Sequence, residues 1–179
     1  MMKRMEKRKT VNRMGLAAAL MVVCSWIGVP GPVPFTLQSF GVFVTAGLLG
    51  GTKGLVSVLV YILLGIAGLP VFAGARGGLS VLLGETGGYI IGFLPMVFFC
   101  GKLCERKQSI PRMYIAMTVG LLLCYATGIL WNVIVFFGAD YWNGVSTVVI
   151  SQIIPCVVPD IIKMTLAVFT VKKLKEYGI

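Results

Sequence analysis

From residue 14 to residue 172 the chain is a train of apolar runs separated by short basic breaks or by stretches rich in glycine and proline. The runs cover residues 14–29, 39–51, 54–68, 87–102 and 113–137, with a last one over 159–172. What remains is too little to build a water-facing surface: 58% of residues are hydrophobic, 12% are charged, and the mean hydropathy is +0.94. In hydrocarbon every backbone N–H and C=O must be satisfied internally, so such runs resolve into helices rather than open sheets. The expected fold class is an all-α integral membrane protein with six transmembrane helices, because 179 residues hold about six spans of roughly 20 residues and no second soluble domain. The domains read as a basic tail over 1–13, a single membrane domain over 14–175 and a C-terminal tail over 176–179.

Charge sets the orientation. Of the sixteen Lys and Arg, all but Arg76 and Lys163 fall in the N-terminal tail, at Lys53, between 102 and 112, or at Lys172, Lys173 and Lys175. These are the regions that alternate spans leave on one side, and the positive-inside rule makes that side cytoplasmic. Both termini are then cytoplasmic, and the net charge of +10 needs no nucleic acid to explain it. A basic start before an apolar run is also the pattern of a signal peptide, but no A-x-A-like site follows the run and Pro30-Gly31-Pro32 leads into further membrane sequence. Residues 47–53 superficially match a phosphate loop. Thr52 stands where that loop requires glycine, and no nucleotide-binding α/β domain follows.

The last run places an acid and a base where ionisable groups are costly. If Pro159 takes the first helical position, Asp160 and Lys163 lie three residues apart, about 60° around the helix, and converge on one target. A charge near the bilayer centre costs at least about 2.5–3.5 kcal/mol on insertion scales, so the pair should face the protein interior or a wet cavity. It is either a polar ligand site or a self-satisfied ion pair that locks helices.

Residues 69–85, with Pro70, Gly74, Gly77, Gly78 and Gly84, read as a long outer loop whose apolar residues pack it as a lid. Arg76 in it either clamps an anionic ligand group or pairs with Glu85 or a lipid headgroup. Gln38 is placed to aim an amide at a ligand, and Tyr89 offers an aromatic body with a polar tip or simply packs the core. Asn132 in an apolar run suggests a buried polar contact, whereas Trp131 and Trp142 fit interfacial anchoring. Residues 138–158 read as an outer connection with a short re-entrant or interfacial helix over 145–154. Gly15, Ala18 and Ala19 form a small-residue face for a neighbouring helix, in this chain or in a partner. The five cysteines, without histidine or CxxC spacing, suit apolar packing better than metal or disulfide chemistry.

Several stretches together resemble the BioY family, the biotin-binding substrate-capture components of energy-coupling factor (ECF) importers. They are Pro32-Val33-Pro34-Phe35-Thr36-Leu37-Gln38, Gly68-Leu69-Pro70-Val71-Phe72, Gly77-Gly78, Thr86-Gly87-Gly88-Tyr89-Ile90-Ile91-Gly92-Phe93, and Pro159-Asp160 with Lys163. The resemblance covers most of 15–175 and departs from the usual pattern at Ala75, commonly glycine, and at Glu85, commonly proline. It implies a six-helix protein of a prokaryotic cytoplasmic membrane that captures biotin from outside. The implied partners are a transmembrane coupling subunit and two ABC ATPase subunits, with ATP used only by the latter and no cofactor or catalytic site in this chain.

Biotin's chemistry then distributes over the candidate residues. Asp160 is expected to accept ureido N–H bonds, while Lys163 neutralises it and donates to the ureido oxygen. Arg76 is the candidate for the tail carboxylate, with Gln38, Asn132 and Thr86 as secondary polar contacts. Phe35, Phe72, Tyr89 and Trp131 are candidate walls for the ring, and Gly15, Ala18 and Ala19 the candidate docking face for the coupling subunit. The rival reading is a self-sufficient, proton-coupled transporter in which Asp160 and Lys163 relay a proton.

Overall fold

The structure is a computed structural model that describes residues 2–29, 35–106, 109–138 and 140–177. Apart from one short ribbon, the described residues form helices and the turns between them. Helix α1 (Met2–Trp26) begins inside the basic segment, so residues expected as a separate tail are its first turns. Its apolar part stops at Trp26, where the indole N–H donates to the Pro70 carbonyl at 2.8 Å. The chain then turns extended: Gly28–Val29 (β1) pairs antiparallel with Phe35–Thr36 (β2), and the Leu37 N–H donates to the Ile27 carbonyl at 2.9 Å.

Helix α2 (Gln38–Ile66) is two helical arms joined at a kink, because Gly50 within it has the non-helical φ 77 and ψ −176. A residue with a side chain meets a steric penalty there, and glycine does not. The two arms, 38–49 and 51–66, fold back on each other, so that the Gln38 amide reaches the Tyr61 hydroxyl at 2.5 Å. The reversal falls at Gly50 and not at the expected break around Thr52 and Lys53. It is held by Glu105, whose carboxylate accepts the Gly51 N–H at 2.9 Å.

After a short helix, α3 (Leu79–Leu83), come α4 (Gly87–Arg106) and α5 (Ile110–Asn132), the latter with proline in its first turn. Glycines let this pair approach closely: a Cβ at Gly92 would lie 2.3 Å from the Thr127 hydroxyl and 3.1 Å from the Cys124 backbone. Lys102 and Arg106, expected in a loop, are helical.

A π-type turn (Val133–Phe137) extends α5. Helix α6 (Tyr141–Val148) then passes through a second π-turn (Val149–Ile153) into α7 (Ile154–Glu176). This corrects two expectations. Residues 141–158 are a continuation of the last helix rather than an outer connection, and Pro159 lies inside α7 instead of opening it. The first turn of α7 is already occupied by Pro155, and Pro159, having no N–H, leaves the Pro155 carbonyl without its i+4 donor.

The core is formed by Met21 of α1, Phe43, Val58 and Tyr61 of α2, Met96 and Val97 of α4, Met117 of α5 and Val168 of α7. Large apolar side chains such as Leu16, Leu63, Ile115, Leu122, Ile134 and Phe169 point outward, as lipid-facing residues do. Among the described residues four helical stretches are long and apolar enough to cross a bilayer: Gln38–Ile66, Gly87–Glu105, Ile110–Phe137 and Tyr141–Glu176. The expectation of an all-α membrane fold holds at that level.

Candidate functional site

Asp160 and Lys163, one turn apart on α7, are both buried, at 4% and 8% exposure. The ammonium donates to Asp160 Oδ1 at 2.8 Å. Ser39, from the first arm of α2, donates to the same oxygen at 2.9 Å and accepts from Lys163 at 3.2 Å. The Tyr125 hydroxyl of α5 donates to Oδ2 at 2.5 Å. Three helices thus converge on one carboxylate, and charge-assisted bonds of this kind offset the cost of burying it. A carboxylate accepts about four hydrogen bonds. Three side chains engage this one, which leaves acceptor capacity for a ligand N–H.

Above the pair opens a cavity with about 760 Å³ of atom-free space, its mouth included. Its lining has the make-up of small-molecule sites, which combine apolar walls with a few directed polar groups. Asp160 and Lys163 line it together with Gln38, Phe72, Arg76, Thr86 and Tyr89. Phe72 is fully buried and meets Tyr61 edge-on, with ring centroids 5.6 Å apart. Tyr61 in turn receives the Gln38 amide and donates to the Val71 carbonyl at 3.0 Å, tying the start of α2 to the start of the 69–85 loop.

The loop holds Arg76 by its backbone. The Phe72 N–H donates to the Arg76 carbonyl at 2.9 Å, the Arg76 Nε donates to the Ala73 carbonyl at 3.2 Å, and Ala75 between them has φ 55. That left-handed conformation is one that glycine adopts without the penalty a Cβ brings. Among the described residues the ion pairs are Lys163–Asp160 and Lys102–Glu105, so the alternative pairing of Arg76 with Glu85 is not formed.

Two expected wall or contact residues lie elsewhere. Trp131 donates its indole N–H to the Gly84 carbonyl at 3.2 Å, and Asn132 donates to the carbonyls of Glu85 and Gly128, both at 2.9 Å. Neither lines the cavity; they fasten the end of the loop to α5. The Phe35 side chain lies outside the described residues. On α1, Ala18 is buried in the core while Gly15 and Ala19 are exposed, so the three do not form one free face.

Sequence reasoning missed Ser39, Tyr125, Gln152 and Cys156, which also line the cavity. Ser39 and Gln152 carried a weak signal as polar residues beside apolar runs. Tyr125 gave none, since a tyrosine inside an apolar span is compatible with plain packing.

The BioY family model matches residues 1–178. The biotin transporter BioY of Thermotoga maritima is 42% identical over 163 residues, covering 90% of this chain and 93% of that protein. The chain belongs to the BioY family. A probable biotin transporter BioY of Pyrococcus horikoshii is 38% identical over 170 residues, covering 94% of this chain and 98% of its own length. Among solved structures, the S-component for biotin from an ECF-type ABC transporter superposes with a TM-score of 0.81 at 27% identity, covering 96% of this chain and 93% of that one. As a BioY-family chain with apolar membrane-length helices, this is a prokaryotic membrane protein and a transport component rather than an enzyme.

Proposed function

We propose that this chain captures biotin at the outer face of the cytoplasmic membrane and takes it up as the substrate-specific component of an ECF-type importer. The observation that carries the reading is the buried, multiply bonded Asp160 carboxylate at the floor of a cavity that also contains Arg76. Biotin carries N–H donors at its ureido end, a fused apolar ring and a carboxylate at its tail. A fixed carboxylate, an apolar wall including Phe72, and a cation in the loop answer those three parts in order. Lys163 offsets the charge of Asp160 through the ion pair and donates to the ureido oxygen, with Gln38 and Thr86 as further polar contacts. The names carried by close relatives support the same ligand.

The topology proposed with this function has six crossings, α1, the two arms of α2, α4, α5 and α7, with both termini cytoplasmic and residues 69–85 outside. The chain needs no cofactor. Movement of bound biotin across the membrane depends on a transmembrane coupling subunit and two ATPase subunits, for which the exposed Gly15 and Ala19 offer a close approach on α1.

Calorimetric titration of the purified protein in nanodiscs tests the reading. Wild-type chain binds biotin without ATP, and Asp160→Asn weakens binding by roughly a hundredfold or more, because the ligand N–H loses a charged acceptor and Lys163 is left beside a neutral amide. Absence of binding by well-folded wild type would reject biotin as the ligand. Unchanged affinity in Asp160→Asn would reject the assigned role of the carboxylate.

A further inference from the structure

Gln152 sits in the π-turn that joins α6 to α7, and its position is set by two features of the fold. Four residues separate Gln152 from Cys156 and Cys156 from Asp160, so Gln152 lies on the same stripe as these two and Lys163, all of which line the cavity. Single π-type turns in otherwise α-helical rods recur at functional sites because they re-aim one side chain without ending the helix. Across the cavity, the Tyr89 hydroxyl donates to Gln152 Oε1 at 2.9 Å. An amide held by its oxygen presents its NH2 group on the other side, as two hydrogen-bond donors and no acceptor.

We infer that Gln152 is a specificity-determining residue for the acidic tail of the ligand, with Tyr89 orienting its amide and Arg76 supplying charge from the loop. This rests on the assignment of biotin, ureido end down, to the cavity. Gln152 is eight residues from Asp160, about 12 Å of helical rise toward the mouth. The ureido ring and the carboxylate are the two ends of biotin, separated by the fused sulfur-containing ring and four methylenes. A ligand whose ring meets Asp160 therefore extends its tail past Cys156 to the level of Gln152. Arg76 lines the same cavity but lies on the loop, so the carboxylate receives an amide donor from the helix and a cation from the lid. The amide adds direction where the cation adds charge.

The test compares biotin with biotinamide, whose tail is neutral, on three forms of the full chain in nanodiscs: wild type, Gln152→Glu and Gln152→Met. Gln152→Glu keeps an oxygen to accept from Tyr89 but faces the ligand's carboxylate with a second one. Biotin affinity falls roughly tenfold to a hundredfold, while biotinamide, which can donate to the new carboxylate, binds at least as well as it does to wild type. Gln152→Met removes the donors without adding charge and lowers biotin affinity about tenfold. Wild-type affinity for biotin in both variants overturns the inference. So does an equal loss for both ligands, which would make Gln152 a support for Tyr89 only. Failure of wild type to bind either ligand rejects the biotin assignment itself, and is read separately from the variants.

Discussion

At the scale of single residues, the site is an ion pair whose geometry is imposed by hydroxyls. Asp160 and Lys163 were legible in the sequence because a charge inside an apolar run has few explanations, and the three-residue spacing already put them on one face. Their partners were not legible. Ser39 and Tyr125 are remote in sequence from α7, and their roles exist only once α2 and α5 pack against it. The same reason accounts for Trp131 and Asn132: both carry polar groups at the C-terminal end of α5, and only the path of the loop decides that these groups bond Gly84 and Glu85 rather than a ligand. Tyr125 offers a direct check. Its hydroxyl holds Asp160 Oδ2 at 2.5 Å, and a bond to a charged group is worth about 1.5–3 kcal/mol net. Tyr125→Phe leaves the carboxylate free to turn, so biotin affinity falls about tenfold in calorimetric titration. The protein stays folded, since the ring remains. An affinity equal to wild type would mean that Ser39 and Lys163 alone fix the carboxylate.

At the scale of elements, α4 and α5 appear close to where the apolar runs placed them, because each run is bounded by glycine, proline or basic residues that end a helix or leave the bilayer. The last helix was misread for the opposite reason. Pro155 and Pro159 look like boundaries, yet a π-turn precedes them and the rod continues from Tyr141 to Glu176. Where a backbone bond is missing, neighbouring packing decides whether the helix stops, and local sequence carries no record of that packing. Gly50 is the converse case, one residue whose identity determines an element. A Cβ there would meet the Glu105 carboxylate oxygen at 2.3 Å, in a conformation with φ 77 that disfavours any side chain. Gly50→Ala therefore lowers the melting temperature in detergent, with about 1–3 kcal/mol from the backbone alone and more from the clash. Adding Glu105→Ala removes the clash but not the backbone strain, and also removes the acceptor for the Gly51 N–H. The double variant stays well below wild type, and full recovery would assign the cost to crowding alone.

At the scale of the whole molecule, membrane character was the most legible property, because it is a sum over the chain and survives errors at individual boundaries. The exposed belt of large apolar side chains follows from the same sum: a polypeptide whose solvent is hydrocarbon has no reason to bury them. Orientation is also a sum, and it leads to the last prediction. Each crossing that separates Lys53, Lys102, Arg112 and the cluster at Lys172 must be paired with another for all of them to share one side, which the reversal at Gly50 permits by returning the second arm of α2 outward. Arg76 then lies opposite, in the loop over the cavity. Single cysteines report this directly. Ser80 in α3 and Lys173 near the end of α7 are both exposed, whereas the native cysteines at 24, 100, 104 and 124 are buried. With Cys156, which faces the cavity, replaced by alanine, a membrane-impermeant maleimide added to intact cells labels Ser80→Cys and leaves Lys173→Cys unlabelled until the membrane is opened. The reverse pattern would put the cavity mouth on the cytoplasmic side, and a chain so oriented would present its site to biotin already inside the cell. Labelling of both positions in intact cells would require an odd number of crossings between residues 80 and 173 to become even, and would break the assignment of α4, α5 and α7 as three successive spans.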